Sequence, residues 1–392
     1  MDVVQLKSGR IKVAVDARLL SLSPLTGIGR YTLEMCNVLR KMDRVSLFLY
    51  SPSPILSLYS SSLEGAVFRV KNLNSMLLRR LWYETYLPWR VKRDNMDVFW
   101  GPIHHLPVWL PQQVASVVTI HDLVWKFFPE TMRPLSRVLE RIQMPLAVSR
   151  ADHVVADSQA TAQAVIEEFK ASAERLSVIT LGVSKFKPPQ NIGALSKLNI
   201  HSPYFLFVGT LEPRKNLVNL LLSYSQLPPA LKKRAMLVIA GGRGWGNVRL
   251  KELISSLQLA EHVILTGYVD DKMLATLYAN ALFLAMPSLY EGFGLPLVEA
   301  MSYGKAVLTS NKASMPEVAG DAGLFVDPYD PESITQGLQQ IISDQGLRDK
   351  LAANAKTNAA RFDWDESARK LVGVFEKSIA ARISRQGDVA AL

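Results

Sequence analysis

The sequence predicts an α/β protein with two Rossmann-like domains, each built on a doubly wound parallel sheet, that face each other across a cleft. Its 392 residues exceed a single typical core, so two domains of about 200 residues are expected. Short apolar runs alternate with helical patterns along the chain, which is typical of parallel sheets with helices on both faces. A polar stretch containing Pro and Gly interrupts this alternation once.

Apolar runs mark the predicted strands on both sides of the interruption. Those before it are IKVAVDA, SLFLY, DVFWG, VASVVTIHD, DHVVADS and LSVITLG. Those after it are YFLFVGT, AMLVIAGG, HVILTGY, LFLAMPS, AVLTS and GLFVD. We therefore expect an N-terminal domain at 1–185, a linker at 186–202, a second domain at 203–365 and a C-terminal amphipathic helix at 366–392.

Composition excludes several classes of protein. Cys36 is the only cysteine, in an apolar-periodic stretch that favours a buried helix position, so no disulfide within the chain is possible. This cysteine usage fits a reducing cytoplasm. No 18 apolar residues run together and the N-terminus lacks a long apolar segment, so neither a membrane span nor a signal peptide is expected.

The net charge of +10 is concentrated partly in MLLRRLWYETYLPWRVKR, residues 76–93. Basic side chains there are interleaved with Leu, Trp and Tyr, which suits contact with an anionic membrane surface. The alternative is a helix packed on its own domain with a solvated basic face. Nucleic-acid binding is not expected, because no recognised binding motif accompanies the charge.

Two glutamates flank a Gly-Phe-Gly turn in LYEGFGLPLVEAMSYG. Ligands of doubly wound sheets collect beyond the carboxyl ends of strands, where this turn is predicted to lie. The amides of Gly294 and Leu295 begin a helix and attract phosphate, and Glu299, one turn further on, can accept both hydroxyls of a ribose. If the ligand is a nucleoside diphosphate, Glu291 would lie closer to the group attached to that diphosphate.

Two other interpretations of these glutamates remain. Glu299 could merely stabilise a helix N-terminus while Glu291 is a solvated loop residue. The pair could also be the acid and nucleophile of a glycosidase, but the phosphate-binding elements around it would then have no purpose.

Two cations lie on the loop FVGTLEPRKNL, after the first strand of the second half. Gly209 allows close backbone approach to a ligand. Arg214 and Lys215 can stabilise the negative charge that a leaving nucleoside diphosphate develops, without a metal. The alternative, a solvated Arg-Lys pair at a helix start, opposes the helix dipole.

Histidines follow strands of the first half. His121 and Asp122 come directly after a strand, so His121 could bind a sugar hydroxyl from the opposite wall of the cleft; a hydrogen-bonded core histidine is the alternative. His104 and His105 are open between acceptor contact and local structure.

Two further motifs are weaker. Gly27 and Gly29 precede a helix and could approach a phosphate, although GIGRYT lacks the third glycine of a dinucleotide fingerprint. Asp363 and Asp365 have the spacing of metal-dependent sugar transferases, but they immediately precede a helix, so Asp365 is expected to be a cap.

Taken together, these motifs resemble the retaining GT-B glycosyltransferases of family 4 over essentially the full length. The resemblance rests on the two glutamates with seven residues between them, on GTLEPRKN at 209–216 and on DARLL and TGIGRYT within 16–32. It is supported by TIHDL at 119–123 and LTGYVDD at 265–271. The N-terminal pattern looks like the GDP-mannose-using subgroup of O-antigen and exopolysaccharide assembly.

The resemblance implies a role for each matching residue. Arg214 and Lys215 would hold the diphosphate and Glu299 the ribose. Glu291 would lie by the transferred sugar, and His121 would touch its outer hydroxyls. The residues with implied backbone contacts are Phe293, Gly294 and Leu295, beside the sugar, and Tyr268 and Val269, near the base. The resemblance also implies that the C-terminal helix returns to the N-terminal domain.

The function expected is transfer, with retention, of α-mannose from GDP-mannose to a lipid-linked saccharide of O-antigen or exopolysaccharide. Other donors remain open, namely GDP-rhamnose, UDP-glucose and UDP-N-acetylglucosamine. A nucleotide-dependent oxidoreductase would need a complete glycine fingerprint, and an inactive sugar-binding protein would be expected to have lost a catalytic residue. We expect no required metal and a cytoplasmic protein that is peripheral at the membrane.

Overall fold

Two compact units make up the described part of the chain. The computed structural model describes residues 9–184, 193–242 and 249–390. Within these residues, the first unit contains 9–123, 138–182 and 363–390, and the second contains 124–137 and the described part of 183–362. The linker expected at 186–202 lies partly outside the described residues.

Seven strands form a parallel sheet in the first unit, in the order β3-β2-β1-β4-β5-β6-β7. They are β1 Ile11–Asp16, β2 Val45–Ser51, β3 Val67–Val70, β4 Val98–Gly101, β5 Ala115–Ile120, β6 His153–Ala156 and β7 Leu176–Val178. The central strands β4 and β5 are buried along their whole length, as the apolar runs predict for a sheet covered on both faces.

Six parallel strands form the sheet of the second unit, in the order β10-β9-β8-β11-β12-β13. They are β8 Tyr204–Val208, β9 Met236–Ala240, β10 Val263–Gly267, β11 Phe283–Met286, β12 Ala306–Ser310 and β13 Gly323–Val326. The chain order reverses between β8 and β11, so the loops after these two strands lie side by side at the switch point.

Helices connect the strands in both units. Those of the first half are α1 Gly27–Leu39, α2 Ser57–Ser60, α3 Met76–Leu81, α4 Leu87–Arg93, α5 Val124–Phe127, α6 Pro134–Arg150 and α7 Gln159–Phe169. Those that follow are α8 Gly193–Ser196, α9 Leu217–Gln226, α10 Pro229–Arg234, α11 Leu250–Ser256, α12 Asp271–Asn280, α13 Leu295–Ser302, α14 Met315–Ala319, α15 Pro331–Ser343, α16 Gln345–Ala359 and α17 Trp364–Ala390.

The C-terminal helix α17 belongs to the first unit, as the resemblance implies. Ser367 Oγ donates to Thr180 O at 2.6 Å, and further along the helix Arg382 Nη2 lies 2.6 Å from Oδ2 of Asp152. Asp152 is buried, so this ion pair ties the end of α17 to the start of β6. The predicted α/β class with two parallel-sheet domains is confirmed.

Local features differ from the sequence interpretation in three places. The edge strand β3 was not predicted, because its four residues are half-exposed and carry no continuous apolar run. One turn of π-helix, Trp82–Tyr86, joins α3 to α4. The prediction that Asp365 caps α17 is wrong: Asp363 accepts from the Glu366 amide at 2.9 Å, and Asp365 lies in the first turn. Cys36 is buried in α1, as predicted, and burial raises the pKa of its thiol.

Candidate active site

The loop after β11 leads directly into the N-terminus of α13. Gly294 precedes the helix with φ +97°, and a Cβ there would lie 2.5 Å from Cε of Met315. Only glycine fits this left-handed and crowded position without strain. No side chain caps the helix, so its first amides point to the space at its tip, the arrangement that binds anions.

The structure brings together the two cations and the first glutamate that the sequence singled out. Arg214 Nη1 donates to Oε2 of Glu291 at 2.7 Å, and Lys215 Nζ donates to Oε1 of the same carboxylate. The loop after β8 and the loop after β11 therefore meet through one buried carboxylate that bridges a guanidinium and an ammonium group.

Backbone geometry places these groups. Residues Pro213–Lys215 form a 3₁₀ turn, and Asn216 follows in the left-handed conformation with φ 63°. The Asn216 side chain donates to Pro287 O at 3.0 Å, and Leu289 N donates to Arg214 O at 2.8 Å. One side-chain bond and one backbone bond thus hold the two loops together, although more than 70 residues separate them in the chain.

The ionisation of the cluster follows from its burial and charges. Burial by itself raises the pKa of Glu291, but the attraction of Lys215 and Arg214 outweighs it and lowers the pKa to about 2. Burial, helped by the Arg214 charge, lowers the pKa of Lys215 against the opposing pull of Glu291. Glu291 is therefore a carboxylate that compensates two cations at neutral pH.

Sequence reasoning missed several residues that position this cluster. Ser288 Oγ donates to Glu291 Oε1 at 2.9 Å, and Glu212 Oε2 accepts from Arg214 Nε at 3.0 Å. The rings of Phe127 and Phe128 contact Tyr290, with centroids 5.3 and 5.8 Å away. Ser288 and Glu212 adjoin predicted site residues, a signal that could have found them; the phenylalanines are far away in sequence and had none.

The second glutamate of the pair, Glu299, lies in α13, one turn beyond its N-terminus, where it was expected. It is buried, and its Oε2 accepts from the Tyr278 hydroxyl at 2.8 Å. The Tyr278 ring stacks on Tyr303 at 5.8 Å, which holds the phenol in place. The carboxylate thus has a fixed orientation inside the unit.

The remaining residues predicted to contact the donor follow the carboxyl ends of strands in the second sheet. Gly209 follows β8 with φ +153°, and a Cβ there would lie 3.5 Å from Cε of Lys215. Tyr268 and Val269 follow β10 and line a depression of about 340 Å³ together with Thr266, Asp270 and Met273, among others. Phe293 is buried against Phe362, with ring centroids 5.5 Å apart.

In the first unit, His121 follows β5 and is buried. Its Nδ1 lies 2.5 Å from Oδ2 of Asp157, and its Nε2 lies 2.8 Å from the carbonyl oxygen of Pro102. Both ring nitrogens face acceptors, so a sugar hydroxyl would have to compete with Pro102 for Nε2. The role of His121 towards a sugar stays a prediction. Neither Asp157 nor Pro102 was singled out by the sequence.

The other two histidines that the sequence singled out, His104 and His105, share one carboxylate. His104 Nδ1 lies 3.5 Å and His105 Nε2 lies 3.3 Å from the Glu140 oxygens. His104 Nε2 also accepts from the His121 amide at 3.0 Å. Burial lowers the pKa of His104, but Glu140 outweighs it, so the pKa is raised. Burial raises the pKa of Glu140, and the two histidines outweigh it and hold the pKa well below its usual range.

The glycines at the start of α1 differ from each other. Gly29 is buried, its amide donates to the Thr26 hydroxyl at 3.2 Å, and a Cβ there would meet Leu25 at 2.9 Å. Gly27 is exposed, with open space where a Cβ would be. Gly27 is therefore better placed than Gly29 to approach a ligand with its backbone. Asp122 is half-buried beside His121.

No group of three or more His, Cys, Asp or Glu side chains suited to a metal ion occurs among residues 9–184, 193–242 and 249–390. In the same residues, no helix combines the length and apolar character needed to cross a bilayer.

Two parallel-sheet Rossmann-like units are the architecture of a GT-B glycosyltransferase, and the second unit carries an uncapped helix tip and the Arg214–Lys215–Glu291 cluster. The chain belongs to glycosyltransferase family 4: that family's sequence pattern matches residues 25–185, and the pattern of glycosyl transferases group 1 matches residues 195–358. The protein is therefore an enzyme that transfers a sugar.

Comparison with individual proteins agrees with this membership. The chain is 31% identical to O-antigen chain mannosyltransferase B of Escherichia coli, over 90% of this chain and 96% of the relative. It is 26% identical to O-antigen chain mannosyltransferase RfbU of Salmonella typhimurium, over 89% and 95%. Its fold is similar to that of a sucrose-phosphate synthase from Thermosynechococcus elongatus, with a TM-score of 0.74, 21% identity and coverage of 95% and 100%.

Proposed function

We propose that the enzyme transfers α-mannose from GDP-mannose, with retention, to a lipid-linked saccharide in O-antigen assembly. The observation that carries the proposal is the buried Arg214–Lys215–Glu291 cluster, since two cations beside a helix tip suit a diphosphate leaving group. The choice of mannose and of O-antigen is supported by the names of two relatives that match nearly the whole chain.

The cation pair supplies the electrostatic step. Glu291 pairs with Arg214 and Lys215, so the anionic oxygens of a bound diphosphate take over part of that pairing. As the glycosidic bond breaks, negative charge grows on the leaving phosphate, which the buried Lys215 and the half-buried Arg214 stabilise. Glu291, released from part of its pairing, then lies beside the transferred sugar.

The rest of the donor is held by neighbouring groups. Glu299, oriented by Tyr278, accepts the ribose hydroxyls, and the first amides of α13 contact the sugar and phosphate. The backbone at Tyr268 and Val269 lies beside the guanine base. We assign His121, with Gly27 and Gly209, to donor contacts, while Gly29 holds the start of α1 behind them. We assign His104, His105 and Asp122 to contacts with the acceptor.

Ligand-induced thermal stabilisation tests the donor. GDP-mannose at about 100 times its Kd should stabilise the protein by about 2.7 kcal/mol, which appears as a raised Tm. GDP-rhamnose, UDP-glucose and UDP-N-acetylglucosamine are the competing donors. Stabilisation by a UDP-sugar but not by GDP-mannose would overturn the donor assignment, and stabilisation by NAD alone would favour the oxidoreductase. The anomeric configuration of the product, read by NMR, tests retention.

Independence from metal follows from the same proposal, because Arg214 and Lys215 supply the positive charge at the diphosphate. Transfer should persist in excess EDTA, measured as mannose label incorporated into lipid-extractable product. Activity that EDTA abolishes and magnesium restores would contradict it. We further propose that the protein works at the cytoplasmic face of the membrane, where it meets its lipid-linked acceptor.

A further inference from the structure

An exposed apolar surface covers part of the first unit. On α3, Met76, Leu77, Leu78 and Leu81 are 79, 66, 49 and 50% exposed, and Trp89 on α4 is 49% exposed. The segment between them buries Trp82, Tyr83 and Leu87 instead. A helix that simply packed on its own domain would bury such leucines. A helix packed on its own domain with a solvated basic face therefore does not account for this surface of residues 76–93.

Two other segments extend it. Trp109 is 71% exposed, and Val138, Ile142 and Leu146 on α6 are 52, 55 and 46% exposed. Their spacing of four residues places the three on one face of the helix. The opposite face carries Met144, Ala147 and Val148, which are buried, and Glu140, which contacts His104 and His105.

Hydrogen bonds join these segments into one surface. Val108 N donates to Oε2 of Glu84 at 2.8 Å, and Arg150 donates to Val108 O. Leu81 precedes Glu84 by three residues and Leu146 precedes Arg150 by four, so each lies about one helical turn from its bridge. Trp109 adjoins Val108. We call the exposed apolar residues of α3, α4, Trp109 and α6 the docking surface.

The charges around the docking surface have one sign. Arg79, Arg80, Lys92, Arg93 and Arg141 are all exposed on its helices. The acidic side chains of the same helical segments turn towards the protein: Glu84 accepts from Val108, and Glu140 contacts the two histidines. Arg93 also lies over the Trp89 ring, 5.3 Å from its centroid.

We infer that the docking surface seats the enzyme on an anionic phospholipid bilayer, with its apolar residues in the headgroup region and its arginines on lipid phosphates. Apolar side chains rimmed by basic residues suit such an interface, and tryptophan is favoured at the same depth. A second copy is a poor occupant, because a symmetric pairing would bring like arginines together.

This inference rests on the proposed function, since a lipid-linked acceptor requires the enzyme at a bilayer. It adds that α6 links the two: its outer face lies on the lipid while Glu140 on its inner face holds His104 and His105, which we assigned to the acceptor. The saccharide of a membrane-anchored acceptor would thus reach the histidines from the bilayer side of this helix.

Sedimentation with vesicles tests the inference. The full-length protein should bind vesicles of 30% phosphatidylglycerol in phosphatidylcholine, bind pure phosphatidylcholine much less, and lose binding as salt is raised. Arg80→Gln, Arg93→Gln and Arg141→Gln should each lower partitioning about fivefold. The combined variant Leu77→Ser, Trp109→Ser, Ile142→Ser should abolish it.

Matched controls separate specific from general effects. Leu58→Ser changes a residue that is 73% exposed on α2, outside the docking surface, and Lys41→Gln removes an exposed charge; both should bind as wild type does. All variants should keep the Tm and the GDP-mannose stabilisation of the wild type, so a failure to bind lipid is distinguishable from a failed donor assignment.

Three outcomes would overturn the inference. Wild type could remain in the supernatant with anionic vesicles, or the combined serine variant could bind as well as the Leu58→Ser control. Light scattering could instead show a dimer that the combined variant converts to a monomer, in which case the surface joins two copies of the chain.

Discussion

Arg214 and Glu291 are 77 residues apart in the chain, yet Nη1 of one lies 2.7 Å from Oε2 of the other inside the second unit. Lys215 approaches the second oxygen of the same carboxylate. This pairing joins the loops at the switch point of the sheet into a single charged cluster. The proposed chemistry depends on this cluster, so substitutions in it should change both turnover and stability.

Lys215→Ala should reduce turnover about 100-fold or more while leaving the protein folded, because it removes a buried cation that stabilises the leaving phosphate. The measurement is the initial rate of mannose transfer from labelled GDP-mannose to a lipid extract. Lys233→Ala, on the exposed end of α10, serves as the control. Near-normal turnover in the Lys215 variant would remove this residue from the leaving-group role.

Glu291→Gln should destabilise the ligand-free protein by about 3 kcal/mol, since the buried Lys215 loses its counter-charge and Arg214 keeps only Glu212. The same variant should gain more stability from GDP than the wild type does, because the diphosphate then supplies the missing negative charge. Thermal unfolding with and without GDP measures both effects. Equal stabilisation of the two proteins by GDP would show that Glu291 does not compete with the diphosphate.

Asp152→Asn should loosen α17. The buried Asp152 carboxylate pairs with Arg382 and Arg385 and accepts from Ser116, so its neutralisation should cost about 3 kcal/mol. Glu366→Gln breaks only exposed pairs, with Arg369 and Lys370, and should cost less than about 1 kcal/mol. Tm and the rate of tryptic cleavage within 364–385 provide the measurements. Unchanged cleavage in the Asp152 variant would show that the pairs do not anchor the helix.

His153 predicts an acid-sensitive component of stability. Burial, together with Lys377 and Arg175, lowers the pKa of His153 to about 4. The unfolded chain, with a histidine pKa of about 6.5, therefore binds more protons between these values. The contribution of neutral His153 to the free energy of unfolding is fully present above about pH 6.5 and is lost as the pH drops towards 4.

The test for His153 is Tm against pH for the wild type and His153→Gln. Glutamine can still bond to Ser177 Oγ, which lies 2.8 Å from Nε2 in the wild type. The wild type should lose more Tm than the variant between pH 6.5 and pH 5. Parallel curves over this interval would assign the acid sensitivity to other groups.

Local pattern in the sequence led to the loops that the structure brings together, while the roles of their residues stay a prediction. Arg214, Lys215, Glu291 and Glu299 could be chosen because each follows a recognisable strand, and parallel strands place such loops at one edge of a sheet. It failed for Asp365, where the cap is two residues earlier, because cap geometry depends on where the first helical hydrogen bond forms.

By itself, the sequence determined two parallel-sheet units, every strand run except the edge strand β3, and the loops that carry polar residues, because periodicity and turn residues are local properties. Only the tertiary structure decided the partners: Asp157 and Pro102 on the ring of His121, Glu140 between two histidines, and Asp152 on α17. It also decided that leucines of α3 and α6 face outward. These depend on contacts between distant segments, and burial by such contacts sets both the direction of each pKa and the exposure of each apolar side chain.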